Sequence, residues 1–146
     1  MDNDAAHEIL TRHLRSRGKS RATPERYAVL DVVLQTQGHF DAEGLYYRLK
    51  SNGAKVSKAT VYNTLDILQE CGLVTKYRFT DKLSRYEKAF GKPHHHHLVC
   101  LECGDIVEFV NDRLNRLQDE VCGEKGFAPN SSSIQIFGTC SKCRKQ

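Results

Sequence analysis

Two Cys-x-x-Cys pairs, Cys100 with Cys103 and Cys140 with Cys143, stand 36 residues apart near the end of this 146-residue chain. They constrain its fold more than any other feature. Four thiolates at that spacing match the soft, tetrahedral preference of a structural Zn²⁺ ion. The intervening stretch is longer than a simple zinc ribbon needs, but it has room for a strand, a helix and a further strand. A metal there ties the last residues of a domain to its first hairpin. Two redox dithiols are the competing reading, although neither pair sits in a thioredoxin-like βαβ pattern. Cys71 and Cys122 lack metal spacing and read as ordinary half-buried cysteines.

The opening residues are acidic and contain no apolar stretch of the kind that starts a secretory signal. No apolar run approaches the roughly 18 residues a membrane span needs. The expectation is a soluble cytoplasmic protein with no membrane partner, in which six cysteines point to metal or redox chemistry rather than disulfides.

Around the cysteine pairs the pattern predicts strands at about 97–101, 105–110 and 133–138 and a helix at about 112–125. About 50 residues bury little core of their own, so a metal staple or a dimer partner is expected. Gly91 and Pro93 interrupt regular structure just before this region. The expected organisation is a first domain over 1–90, a hinge at 91–93 and a second domain over 94–146.

The first domain reads as helices followed by a hairpin. Residues 5–17 are amphipathic. Thr23 and Pro24 form an N-cap with proline at the first helical position, and that helix should run to Gly38. Asp41 caps a third helix that stops near Asn52 and Gly53. Ser57 caps a fourth, from Lys58 to about Glu70, with Gly72 at its end. At 100° per residue Val61, Leu65 and Leu68 share one face of it, and Ala59, Tyr62, Asn63 and Asp66 the other. Two β segments, Leu73–Phe79 and Arg85–Ala89, follow. Three or four helices and then a hairpin is the order of a winged helix-turn-helix, in which one helix reads the major groove. A small three-helix protein-interaction domain would share much of the pattern.

Charge leaves a nucleic-acid contact and an ordinary solvated face both open. Residues 1–92 hold 16 Lys and Arg against 11 Asp and Glu, whereas 93–146 hold 6 against 7. Arg12, Arg15, Arg17, Lys19, Arg21 and Arg26 cluster more densely than an ordinary solvated face and suit phosphate contact.

A second metal candidate is the run His94–His97. If residues from 95 onward are extended, His95 and His97 share one side of the strand and His94 and His96 the other. Imidazoles combined with carboxylates suit Fe²⁺, Mn²⁺, Zn²⁺ or Ni²⁺.

With these residues in view, the chain resembles the ferric uptake regulator family. The resemblance rests on Thr-Pro-Glu-Arg at 23–26, Gly-His-Phe-Asp-Ala-Glu-Gly-Leu-Tyr at 38–46, Ala-Thr-Val-Tyr-Asn-Thr-Leu at 59–65 and Gly-Leu-Val at 72–74. It continues through His-x-His-Leu-Val-Cys-x-x-Cys-Gly at 95–104, Ile-Val-Glu-Phe at 106–109 and the terminal Cys-x-x-Cys, and so covers nearly the whole chain. It implies an α+β protein, an N-terminal winged helix-turn-helix domain with a small α/β C-terminal dimerisation domain. It also implies the function of a homodimeric, metal-dependent transcriptional repressor, and not an enzyme.

Carried over by position, the family's structural zinc falls on Cys100, Cys103, Cys140 and Cys143, one ion per subunit. Its regulatory metal, Fe²⁺ or Mn²⁺ with Zn²⁺ as a possible substitute, falls on His39, Glu87, His95, His97 and Glu108. The implied partner is double-stranded DNA carrying an AT-rich inverted repeat. Tyr62 and Asn63, with Thr60, are the expected base contacts, and Lys19, Arg21, Lys58 and Lys76 the expected phosphate contacts.

Some members carry a third site, and here the match breaks. Its expected glutamate lies near Asn115 and its expected histidine near Ser132, so no complete third site is expected despite His94 and His96. Asn63 also departs from the arginine common in the iron regulators. Glutamate at position 87 favours iron as the signal. A peroxide-sensing or zinc-sensing regulator of the same family is the alternative, and a metallohydrolase using the His/Glu set is the alternative from a different class.

Overall fold

The computed structural model describes residues 2–18, 21–90, 95–130 and 132–145. The chain forms two compact units, Met1–Gly91 and Lys92–Gln146. Lys19, His94 and the expected hinge at 91–93 lie outside the described residues. Among the described residues no helix is long and apolar enough to cross a membrane.

Unit 1 begins with α1 (Asn3–Arg17), α2 (Pro24–Gln35), α3 (Ala42–Ser51) and α4 (Lys58–Glu70). Each has a side-chain N-cap: Asp2 accepts from Ala5 N–H, Thr23 from Arg26, Asp41 from Gly44 and Ser57 from Thr60. Each cap satisfies a donor that would otherwise lack an intrahelical partner. α2 stops at Gln35, short of Gly38, because Thr36 turns extended and its hydroxyl bonds back to the Val32 carbonyl at 2.7 Å. Gly72 adopts φ 79° just beyond α4, a left-handed conformation open to glycine at little steric cost. That turn sends the chain into β1 (Val74–Arg78), which pairs antiparallel with β2 (Ser84–Lys88) to form the wing.

The helices meet in one apolar core. Leu10 and Leu14 from α1, Val29 and Leu30 from α2, Leu45 and Leu49 from α3, and Val61, Leu65 and Leu68 from α4 are all essentially inaccessible. Each side chain so buried contributes about 1.5–3 kcal/mol. Thr64 is fully buried as well, its hydroxyl donating to the Thr60 carbonyl at 2.7 Å. The expected winged-helix order is thus present, with α4 presenting its polar face outward.

Unit 2 contains β3 (His96–Cys100), β4 (Ile106–Phe109), α5 (Asp112–Glu124), β5 (Gln135–Gly138) and a short α6 (Ser141–Arg144). Its sheet has the order β4-β3-β5, antiparallel on one side of β3 and parallel on the other. α6 is absent from the sequence reading because four residues carry no periodicity.

Apolar burial here is sparse. Val99 and Cys100 are buried, whereas Leu98, Val107 and Ile136 are 40%, 50% and 52% exposed. In register these three form a row across one sheet face. α5 buries none of its described residues and exposes Leu117 and Val121. A lone 13-residue helix is marginal in water, and α5 offers Leu117 and Val121 as apolar area for a further contact.

Candidate metal centres and nucleic-acid face

The sulfur cluster is assembled by two turns. Cys100 ends β3, and Cys103 follows in a tight loop where Gly104 N–H bonds the Cys100 carbonyl at 3.0 Å. Gly104 has φ 78°, which lets the loop close without strain. Cys140 is the N-cap of α6 and Cys143 lies within it. The four sulfurs lie within 4.8 Å of one another, with Cys100 to Cys143 at 3.9 Å and Cys103 to Cys140 at 3.7 Å. A tetrahedral ion at the usual Zn–S length of about 2.3 Å needs sulfurs roughly 3.8 Å apart, which both of these separations match, so the four residues fit zinc.

Electrostatics around the thiols are unequal. Backbone N–H groups, first that of Cys103 and then that of Cys140, lower the Cys100 pKa to about 6. The second is visible as a 3.3 Å hydrogen bond to Cys100 Sγ. The neighbouring Cys140 sulfur, followed by burial, pushes Cys143 above the ordinary thiol range. The cluster therefore has one residue primed as thiolate and others that release protons when a cation arrives.

Nitrogen and oxygen donors occur as two separate sets. In unit 1, Phe40 and Tyr86 exchange backbone hydrogen bonds of 2.9 and 2.8 Å, and their rings stack at 5.9 Å. This bridge places the residues on either side of it, His39 and Glu87, next to each other, with Nε2 to Oε2 at 3.4 Å. Glu87 is 2% exposed, and a carboxylate this deeply buried is costly without hydrogen bonds or positive charge. In unit 2, His97 sits opposite Glu108 across the β3–β4 ladder, so their side chains share one face. The His95 ring lies 5.0 Å from that of His97. Both sets have the chemistry of an Fe²⁺, Mn²⁺ or Zn²⁺ site.

His96 faces the other way. It is fully buried, and its ring nitrogens engage Asn115 Oδ1 at 2.8 Å and the Ile134 N–H at 3.2 Å. Ser132 donates to Gln118 Oε1 at 3.0 Å. Asn115 and Ser132 are thus tied into hydrogen bonds.

On unit 1, Tyr62 is 47% exposed on α4, and Asn63 opens onto a pocket lined by Arg21, Thr23, Glu25, Arg26 and Thr60. Arg26 donates to the Arg21 carbonyl at 2.7 Å. A second pocket runs from Tyr62 to the wing residues Lys76, Lys82 and Arg85. Of the expected phosphate contacts, Arg21 is exposed and Lys76 lies over the Tyr86 ring. Lys58 is engaged by Glu43 at 3.3 Å and stacks over Tyr46 and Tyr47, and Glu43 raises its pKa. Arg26, which lines the first pocket, belongs to the basic cluster that the sequence marks for phosphate contact, whereas Lys82 and Arg85 are brought in only by their positions at the wing pocket.

The chain can now be set beside known proteins. The family model described as the ferric uptake regulator family matches residues 17–137. The chain is 35% identical over 131 residues to the ferric uptake regulation protein of Campylobacter jejuni, spanning 88% of this chain and 83% of that protein. It is 33% identical to the peroxide operon regulator of Bacillus subtilis, over 86% of each. The solved structure of the Helicobacter pylori ferric uptake regulator superposes with a TM-score of 0.87 at 24% identity, covering 100% of this chain and 96% of that one. That likeness speaks for the fold.

Proposed function

The chain belongs to the ferric uptake regulator family, and from that premise we propose that it is a homodimeric repressor whose grip on operator DNA depends on a bound metal ion. The observation that carries the proposal is the His39–Glu87 pair. A buried donor pair for a divalent cation lies inside unit 1 itself, Glu87 on the second wing strand and His39 in the loop before α3. His95, His97 and Glu108 supply a complementary set in the other unit. The five residues together are read as one regulatory site, and the four cysteines as a structural zinc site.

A bound Fe²⁺ or Mn²⁺ supplies positive charge and a preference for imidazole and carboxylate ligands. His39 and Glu87 would hold it from one unit, and His95, His97 and Glu108 from the other. In a dimer this sets the separation of two α4 helices, which must match half-sites on the duplex. Metal acts through its differential affinity for that arrangement, so operator DNA must in turn tighten metal binding. Tyr62, Asn63 and Thr60 are taken to meet base edges and Arg21, Lys58 and Lys76 to meet phosphates, a reading supported by the pocket that Arg21, Thr60 and Asn63 line and the one that Tyr62 and Lys76 line. Lys19 is proposed from its sequence position alone.

The sparse core of unit 2 supports the dimer. Leu98, Val107 and Ile136 on the sheet and Leu117 and Val121 on α5 offer the apolar area that a second copy would cover. Family members are regulators of transcription, and we propose no hydrolase chemistry for the His/Glu set. The site of action is taken to be the cytoplasm, where the DNA is.

The test is fluorescence anisotropy of an AT-rich inverted-repeat duplex with the zinc-loaded protein, titrated anaerobically with Fe²⁺, Mn²⁺ or Zn²⁺ at fixed salt. Tight binding that requires Fe²⁺ or Mn²⁺ supports the proposal. Equal binding with and without added metal removes it. The near-equal identity to the peroxide regulator favours a second reading, in which iron-catalysed oxidation of His39 or His95 releases DNA. A one-oxygen mass gain on either histidine at low peroxide would select it.

A further inference from the structure

His96 sits between two proposed metal ligands, His95 and His97, and it is the most enclosed of the unit 2 side chains outside the ligand sets. The Ile134 N–H is a donor with no choice of role, so the His96 Nδ1 that it meets must present a lone pair. In a neutral ring the proton then resides on Nε2, which donates to Asn115 Oδ1. Neither nitrogen has a lone pair left for a cation. The ring also packs against Phe109, 5.4 Å between centroids.

Asn115 is itself well placed. Asn111 caps α5 by accepting from Leu114 N–H at 3.0 Å, and the Asn115 N–H continues the first turn to the Asn111 carbonyl at 3.1 Å. The side chain therefore projects from the capped first turn of a helix that buries none of its described residues. Through His96 it clamps α5, β3 and the approach to β5 together.

On a strand, neighbouring side chains take opposite faces, and a rotation that moves one moves all. Three consecutive imidazoles give β3 an ambiguity that alternation alone does not remove, because His96 is as good a metal ligand as its neighbours. We propose that Asn115 is a positioning residue for the regulatory metal. It holds His96 as a hydrogen-bonded brace between β3 and α5, and so keeps His95 and His97 directed at Glu108 with no metal at His96. The inference rests on the regulatory-site reading given above. It makes the brace do by direct hydrogen bonds what a further cation between strand and helix would otherwise do.

The experiment uses the full zinc-loaded chain, with Mn²⁺ followed by calorimetry and native mass spectrometry. The wild type should take one Mn²⁺ per chain beyond its zinc. Asn115→Leu should weaken that Mn²⁺ by about 10- to 100-fold, the usual scale for losing a residue that orients a ligand. Its zinc content and far-UV spectrum should not change. Asn115→Asp, whose carboxylate accepts the same hydrogen bond, should restore tight binding. In a folding-independent check, the ¹⁵N spectrum of wild-type His96 should show the proton on Nε2.

Asn115→Leu with wild-type Mn²⁺ affinity overturns the proposal, as does a second Mn²⁺ per chain that His96→Ala abolishes, or a proton on Nδ1. A wild-type chain that takes no Mn²⁺ overturns the regulatory-site reading itself, and this inference with it.

Discussion

His39 and Glu87 come from distant parts of the chain, yet their Nε2 and Oε2 atoms lie 3.4 Å apart because Phe40 and Tyr86 pair as a single β-bridge between them. The loop before α3 and the second strand of the wing are thereby joined at a pair of metal-competent side chains. Any cation held there bears on the relation between the helical bundle and the wing.

The first prediction follows from that pair. If both are ligands, as proposed, His39→Ala and Glu87→Gln should each reduce Mn²⁺ affinity by at least about 100-fold, more than the loss of a supporting contact. Metal-free binding to non-specific DNA should stay as it was. Anisotropy with and without Mn²⁺ measures both, and a variant that keeps full metal activation would remove its residue from the site.

Zinc affinity should have a pH dependence set by the unequal thiols. Cys100 is held near 6 by backbone N–H groups, so above that pH it is already ionised, while Cys103 and Cys143, held above the ordinary thiol range, give up protons to the metal. The logarithm of zinc affinity should therefore rise with pH, and its slope should be steeper by about one below roughly pH 6, where Cys100 is protonated too, than between roughly pH 6.5 and 8. Competition with a chromophoric chelator across this range would show it, and one constant slope throughout would mean that Cys100 is an ordinary thiol.

Base and phosphate contacts should separate in their salt behaviour. Asn63 presents a donor and an acceptor, the pattern complementary to adenine N7 and N6, so Asn63→Ala should cost about 1–3 kcal/mol at one base position. Its salt slope should not change. Arg21→Ala should weaken all sequences alike and lower the salt slope by about 1. Tyr62→Ala should lower specific relative to non-specific binding, and unchanged discrimination in competition assays would end that role.

The apolar face of unit 2 predicts the effect of a charge on α5. Leu117, 54% exposed, has no place in its own unit's core, so Leu117→Asp should leave the monomer folded. Sedimentation should then show a shift from dimer to monomer, with operator affinity falling in parallel. A dimer that survives both Leu117→Asp and Val121→Asp would place the interface elsewhere.

Much of the fold was legible because its signals are local. Caps at Thr23, Asp41 and Ser57 and the apolar stripe of Val61, Leu65 and Leu68 each depend on residues within a turn or two, and the structure keeps them. The sequence carries α2 on to Gly38, but Thr36 stops it earlier through a hydroxyl that competes for the Val32 carbonyl. Lys58 reads as a free cation in sequence, and only the packing of α3 against α4 gives it Glu43 and two tyrosine rings.

The metal chemistry divides in the same way. The spacing of Cys100, Cys103, Cys140 and Cys143 marks two short thiolate turns in the sequence, because each turn is local, whereas the β3–β5 pairing of Cys100 with Gly138 brings the two turns together. Period-two alternation likewise determines that His95 and His97 part company with His96. Which face meets Glu108, which meets Asn115, and that His39 lies against Glu87 are matters of strand register and of one bridge between distant segments. Those pairings depend on long-range hydrogen bonds and on how the elements pack, which no local pattern of residues encodes, so only the tertiary structure decided them.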